Sequence, residues 1–118
     1  MSYDLAVWHE PSTIDTQSAQ AKYEAICLGI NLPPLHESVG QFIETVTREF
    51  PQIDDWDDDN IDECPWACEF DESPGHCILN IRWGKEKELV GRLVHMATSL
   101  GLTCYDPQLE AVHSRRRT

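Results

Sequence analysis

Between Tyr3 and Trp8 apolar and aromatic side chains alternate with others, the period of a strand, and Pro11 ends the run. Ser12-Thr-Ile-Asp15 then offers a capping-box-like start for a helix, in which Ala19, Tyr23, Ile26, Cys27 and Ile30 recur at three- and four-residue spacing. Pro33-Pro34 stops it. A second helix is signalled by Ser38 with Gln41 three residues on, and Val39, Phe42, Ile43, Val46 and Phe50 share one face until Pro51. Beyond an acidic loop at 51–64, Pro65 and Pro74-Gly75 bracket a short apolar piece, Trp66 to Phe70, which reads as a strand. Asp71 to Gly75 would turn it into Cys77–Trp83, where Leu79, Ile81 and Trp83 point one way and Asn80 and Arg82 the other. After Gly84 a long helix places Leu89, Leu93, Met96, Ala97 and Leu100 inward and leaves Lys85, Glu86, Lys87, Glu88 and Arg92 solvated. Gly101 caps it, and Leu102–Tyr105 is a last strand closed by Pro107.

The order β-α-α-β-β-α-β, with a hairpin at its centre and helices leading to each outer strand, predicts an α+β fold. It is the split βαβ pattern of the ferredoxin-like sandwich with one extra helix, built on a four-stranded antiparallel sheet. Helices would cover one face of that sheet. The other would be open unless aromatic residues cover it, Tyr3, Trp8, Trp83 and Tyr105 being available, or a partner does; an open face also admits a homodimer. At 118 residues the chain has room for one domain, assigned to residues 1–110, with a polar basic tail at 111–118 that contains Arg115-Arg116-Arg117.

Charge changes this picture locally. Thirteen Asp and Glu fall between Glu37 and Glu72 against the single base Arg48, so these residues carry −12, which is the formal charge of the whole chain. Ile53 to Glu63 is the densest part, with seven carboxylates in eleven residues and Trp56 among them. Like charges at close range raise the free energy of the compact state, and a partner that neutralises them recovers it. A sequence pI near 4.6 opposes binding to nucleic acid or anionic membranes. The sequence lacks a run of about 18 apolar residues and a basic-then-apolar start, and its five cysteines are odd in number, so it reads as cytoplasmic with reduced thiols.

Aligned on the calcium loop of an EF-hand, Asp55, Asp57 and Asp59 fall on ligand positions, but Asn60 stands where a Gly makes the turn and Trp66 where a Glu closes the site. Cys64, Cys68, His76 and Cys77 have the ligand types of a zinc site, yet residues four apart on a strand lie about 13 Å apart. With five Cys and five His, chance pairings are easy, and no local signature of nucleophilic catalysis or Gly-rich phosphate loop is present. No catalytic residue, metal or cofactor is expected. A large apolar side chain amid carboxylates instead suits protein recognition, in which a few buried aromatics supply affinity and charge supplies steering.

Tyr3-Asp-Leu-Ala-Val-Trp8, Gly101-Leu-Thr-Cys-Tyr-Asp-Pro-Gln108, the Ser73-Pro74-Gly75 turn and Pro65-Trp66 resemble segments of small bacterial immunity proteins encoded beside contact-dependent or secreted polymorphic toxins. The resemblance implies a small, non-enzymatic, cytosolic protein that blocks a cognate toxin domain by binding it. Charge, independently of the resemblance, would make the acidic loop the specificity element. Asp54, Asp55, Asp57, Asp58, Asp59, Asp62 and Glu63 would form the field for a basic, nuclease-like surface, with Trp56 and Trp66 as its aromatic contacts. The alternatives are a zinc- or Cys/His-dependent small enzyme and a small-molecule-binding regulatory domain.

Overall fold

The computed structural model, which describes residues 2–114, has five strands in one antiparallel sheet: β1 (Ser2–Trp8), β2 (Asp71–Ser73), β3 (His76–Arg82), β4 (Thr103–Asp106) and β5 (Ala111–His113). The helices are α1 (Thr16–Cys27), α2 (Glu37–Glu49) and α3 (Glu86–Ser99), and two 3-10 helices, Ile53–Asp55 and Asp58–Glu63, lie between α2 and β2. Spatial order across the sheet is β2-β3-β1-β4-β5. The central strand is therefore the first in sequence. Among the described residues no helix is long and apolar enough to cross a membrane.

Alternation along the strands sorts the core onto two faces. Leu5 and Val7 of β1, Cys77, Leu79 and Ile81 of β3 and Cys104 of β4 pack with Val39, Phe42 and Val46 of α2 and Leu89, Leu93 and Ala97 of α3. Ala6 and Trp8, with Ile78 and Tyr105, pack on the opposite side against Ala19 and Ile26 of α1. Of the aromatic residues available to cover the second face, Trp8 and Tyr105 do so, with α1 packed against them. A helix of this length does not encode which side of the sheet it joins.

The sheet has five strands rather than the four expected. β5 lies at the start of the stretch assigned to a polar tail, and the rest of that stretch, 115–118, is outside the described residues. Asp106 makes the added strand possible. Its fully buried carboxylate accepts the Tyr3 hydroxyl, the N–H groups of Gln108 (3.0 Å) and Leu109 (3.1 Å), and the Gln108 side-chain amide (2.8 Å), which folds the chain back onto β4. Gln108 also pairs with the main chain of Asp4, accepting its N–H at 2.7 Å and donating to its carbonyl at 2.8 Å. The two terminal segments singled out in the sequence therefore touch each other as β1 and β4.

Helix ends follow local chemistry. Asp15, not Ser12, caps α1 by accepting the Ser18 N–H at 2.7 Å, a bond that holds its carboxyl below the ordinary value. Gly29, at φ +71°, ends α1 before Pro33-Pro34 can, with its N–H on Ile26 and that of Ile30 on Ala25. Ile30, assigned from spacing to the helical face, consequently lies beyond the helix and is exposed. Trp66–Phe70 is not a strand: Trp66 makes one isolated bridge to Ile81, and β2 begins at Asp71. Residues 74–75, Pro and Gly, are the hairpin turn. Trp83 falls just past β3 and is 61% exposed.

Three of the five cysteines are buried, Cys64, Cys77 and Cys104, while Cys27 and Cys68 are exposed. Burial pushes the Cys77 thiol well up and that of Cys104 up to about 12. Alkylation of the native protein with iodoacetamide is expected to modify Cys27 first and Cys68 next, sparing the other three until the protein is denatured; mass spectrometry reads the order. The same burial predicts an alkaline loss of stability. Above about pH 9 the unfolded chain releases thiol protons that native Cys77 and Cys104 keep, so the unfolded state binds fewer protons and stability falls as pH rises. Urea titrations at pH 8 and pH 10 test the sign.

Candidate functional site: the acidic surface

The stretch after α2 is polar because seven of its side chains are carboxylates, and it is shaped by contacts to its backbone. Gln52 precedes the first 3-10 turn, and its side-chain oxygen accepts the Phe70 N–H at 2.8 Å. Glu69 accepts the Asp54 N–H at 3.2 Å. Asp57 caps the second turn, accepting the N–H of Asp59 (3.2 Å) and the Asn60 amide (2.9 Å), which suits the preference of Asp for such positions. Asn60, at φ −121°, breaks that turn in the middle, and its carbonyl accepts the Trp56 indole N–H at 2.9 Å. From below, Nη1 of Arg82 on β3 reaches the carbonyls of Ile61 (3.3 Å), Asp62 (3.1 Å) and Cys64 (3.0 Å).

All seven carboxylates, Asp54, Asp55, Asp57, Asp58, Asp59, Asp62 and Glu63, are exposed. Ion pairs elsewhere join Lys22 to Glu10, Arg48 to Glu44 and Arg92 to Glu49. None of the seven takes part in an ion pair among the described residues. Arg82 lies against the segment with its guanidinium on main-chain carbonyls, and Lys85 and Arg92 line a cleft beside Glu63, so the stretch is a pinned surface on which seven carboxylates outnumber the cations around them.

Trp56 stands within it half-buried, one part of the ring against the core beneath α2 and α3. Its outer side forms a shallow cleft of about 420 Å³ with Pro51, Asp55, Asp57, Asn60 and Glu63. An indole face ringed by three carboxylates is chemically matched to a guanidinium or ammonium group, attracted by the ring quadrupole and by the charges. On its other side lies a cleft of about 280 Å³ reaching Phe50, Lys85 and Arg92, the last with its guanidinium carbon 5.2 Å from the Phe50 ring centre.

Trp66 does not join this surface. Its side chain is fully buried, edge-on to Phe70 at 4.8 Å and Phe50 at 6.5 Å, and its indole N–H donates to the carbonyls of Phe50 (3.1 Å) and Pro51 (3.0 Å). It closes the core and cannot contact a partner. The four zinc-type side chains are also separated. Cys77 and His76 are successive on β3 and face opposite sides of the sheet, Cys64 lies in the core, and Cys68 donates to the Asn80 side chain at 3.2 Å. Among the described residues no three His, Cys, Asp or Glu side chains are placed to hold a metal ion.

Arg82 and Glu69 are the residues that sequence reasoning missed. An arginine on the polar side of a strand reads as solvated, and nothing in the local pattern announces that it will cap three carbonyls some twenty residues away. The fold and surface together define a small α+β domain with one antiparallel sheet and a pinned acidic segment. No protein-family model, curated protein or solved structure matches the chain.

Proposed function

We propose that this protein is a non-enzymatic inhibitor of the immunity type, which binds the basic surface of a toxin domain through the 53–63 segment. The observation that carries the reading is the set of seven exposed carboxylates without an ion-pair partner among the described residues, around a half-buried Trp56. Surface charges of one sign raise association rates with a partner of the other, and a fixed geometry lowers the entropy lost on docking. Nuclease active sites are cationic because they bind phosphates, so Asp and Glu oxygens can occupy phosphate positions there. Asp54, Asp55, Asp57, Asp58, Asp59, Asp62 and Glu63 supply the field, and the Trp56 cleft receives an arginine or lysine of the toxin.

The scaffold in this reading is ferredoxin-like, lengthened by β5 and covered on its second face by α1. Its support is the run β2-β3-β1-β4, all antiparallel, with α2 and α3 on one side. The protein acts in the cytoplasm, where a nuclease would meet its substrate. The experiment is co-purification with the C-terminal domain encoded by the neighbouring toxin-like reading frame. A stable complex and survival of cells expressing both support the reading; no complex at low ionic strength removes it.

A further inference from the structure

Just past β1 the chain carries an ion pair that the acidic surface does not use. The Glu10 side chain is only 5% exposed, and its Oε2 accepts both the Trp8 indole N–H at 2.7 Å and the ammonium of Lys22 on α1. Among the described residues no hydrogen bond ends on Glu10 Oε1, and no buried side-chain oxygen or nitrogen lacks a partner, so Oε1 is reached by solvent. Lys22 Nζ donates to Glu10 alone among the described residues, which leaves hydrogens of its ammonium to spare. One salt bridge thus presents an unused acceptor beside unused donors.

Both side chains line a cleft of about 540 Å³ on the α1 side of the sheet. Trp8, Ala25 and Ile26 line it from β1 and α1, and Leu32, Pro33 and Pro34 from the segment beyond the helix. Apolar walls with a few convergent polar groups, in a space of roughly 300–1,000 Å³, are the usual make-up of a small-molecule site. The proline wall is anchored from behind: a Cβ at Gly75 would stand 2.1 Å from the Pro33 carbonyl oxygen and 2.5 Å from that of Pro34, so the β2–β3 turn packs directly on it. Leu32, by contrast, is 45% exposed, an apolar side chain left in water at the cleft.

We propose that this cleft binds a small zwitterion with an apolar side group, namely an apolar or aromatic α-amino acid. The charges of Glu10 and Lys22 offset each other, so a lone cation drawn to Oε1 is opposed by the adjacent ammonium, and a lone anion drawn to Nζ by the carboxylate. A ligand that carries both charges lays each against its opposite. Its ammonium donates to Glu10 Oε1, its carboxylate accepts from Lys22 Nζ, and the four charges alternate in sign. In an α-amino acid the two groups hang from one carbon, which suits two sites set side by side on one salt bridge. The side group covers Leu32 and Ile26, and burial of that apolar area adds to the affinity. The cleft shares no residue with the 53–63 segment, so the proposal goes beyond the inhibitor reading and does not rest on it. Binding without turnover agrees with a non-enzymatic protein.

The test titrates the isotope-labelled full chain with L-phenylalanine, with phenethylamine, which lacks the carboxylate, and with hydrocinnamate, which lacks the ammonium, and follows binding by NMR. L-Phenylalanine is expected to shift the Trp8 indole N–H and the Glu10 and Leu32 amide signals along one saturation curve, with each analogue at least about 10-fold weaker. In Lys22→Met, whose fold is checked by circular dichroism and melting, L-phenylalanine should lose about 10-fold in affinity while phenethylamine gains, because the charge that opposed it is gone. Leu32→Ala, at an exposed position, should weaken L-phenylalanine by about 3- to 10-fold. Absence of a saturable shift at about 10 mM L-phenylalanine overturns the proposal. Equal binding of the three probes to the wild type also overturns it, because the cleft then takes apolar groups without reading charge, and this comparison needs no variant to fold.

Discussion

If the proposed basic toxin domain is the partner, changing Asp54, Asp55, Asp57, Asp58 and Asp59 together to Asn is expected to slow association with it by about 10- to 100-fold at low ionic strength, with a much smaller change in the dissociation rate. The salt dependence of the association rate should flatten with it, because the steering field is what the counterions screen. The fold should survive. Asn at 57 keeps one oxygen to accept the Asp59 N–H and gives up only the bond from the Asn60 amide, and the other four side chains make no hydrogen bond through their carboxylates among the described residues. Relief of repulsion should leave the melting temperature unchanged or slightly higher. Stopped-flow mixing across a salt series gives the rates, and an association rate indifferent to both salt and substitution takes the segment out of the interface.

Trp66→Ala is expected to cost about 3–5 kcal/mol, a large share of the stability of a domain whose total is on the order of 5–15 kcal/mol. The loss has two parts. One is the cavity between Phe50 and Phe70, and the other is the pair of carbonyls at the end of α2, Phe50 and Pro51, left without the indole donor. Trp66→Phe separates them, since it returns much of the volume and none of the hydrogen bonding. Trp56→Ala, by contrast, should leave urea unfolding within about 1–2 kcal/mol of wild type because that ring is only half-buried. If Trp66→Ala unfolds at nearly the same urea concentration as wild type, the placement of this ring as a core anchor is wrong.

Why the sequence separated some features and confounded others follows from what each depends on. Helices α2 and α3 were legible because burial of Val39, Phe42 and Val46, and of Leu89, Leu93 and Ala97, repeats with the helical period itself. The strands β1 and β3 carry a two-residue period between faces that are both covered. α1 buries only Ala19 and Ile26, and the side of the sheet it takes depends on Trp8 and Tyr105, which are distant in sequence. β5 is three half-buried residues whose position is set by the Asp106 carboxylate, and no propensity of Ala-Val-His announces that. Of the candidate surface, the charge was plain because it is additive along the chain. Trp56 and Trp66 looked alike, each near acids; Trp66 differs by its backbone bridge to Ile81 beside β3, a tertiary fact.

The holding contacts of the acidic segment end on main-chain atoms: Arg82 on three carbonyls, Glu69 on the Asp54 amide, Trp56 on the Asn60 carbonyl. Peptide groups are the same whatever residue bears them. Most of the outward side chains can therefore be exchanged without loosening the mount that displays them, so the chemistry of this surface is free to vary residue by residue while its conformation is kept.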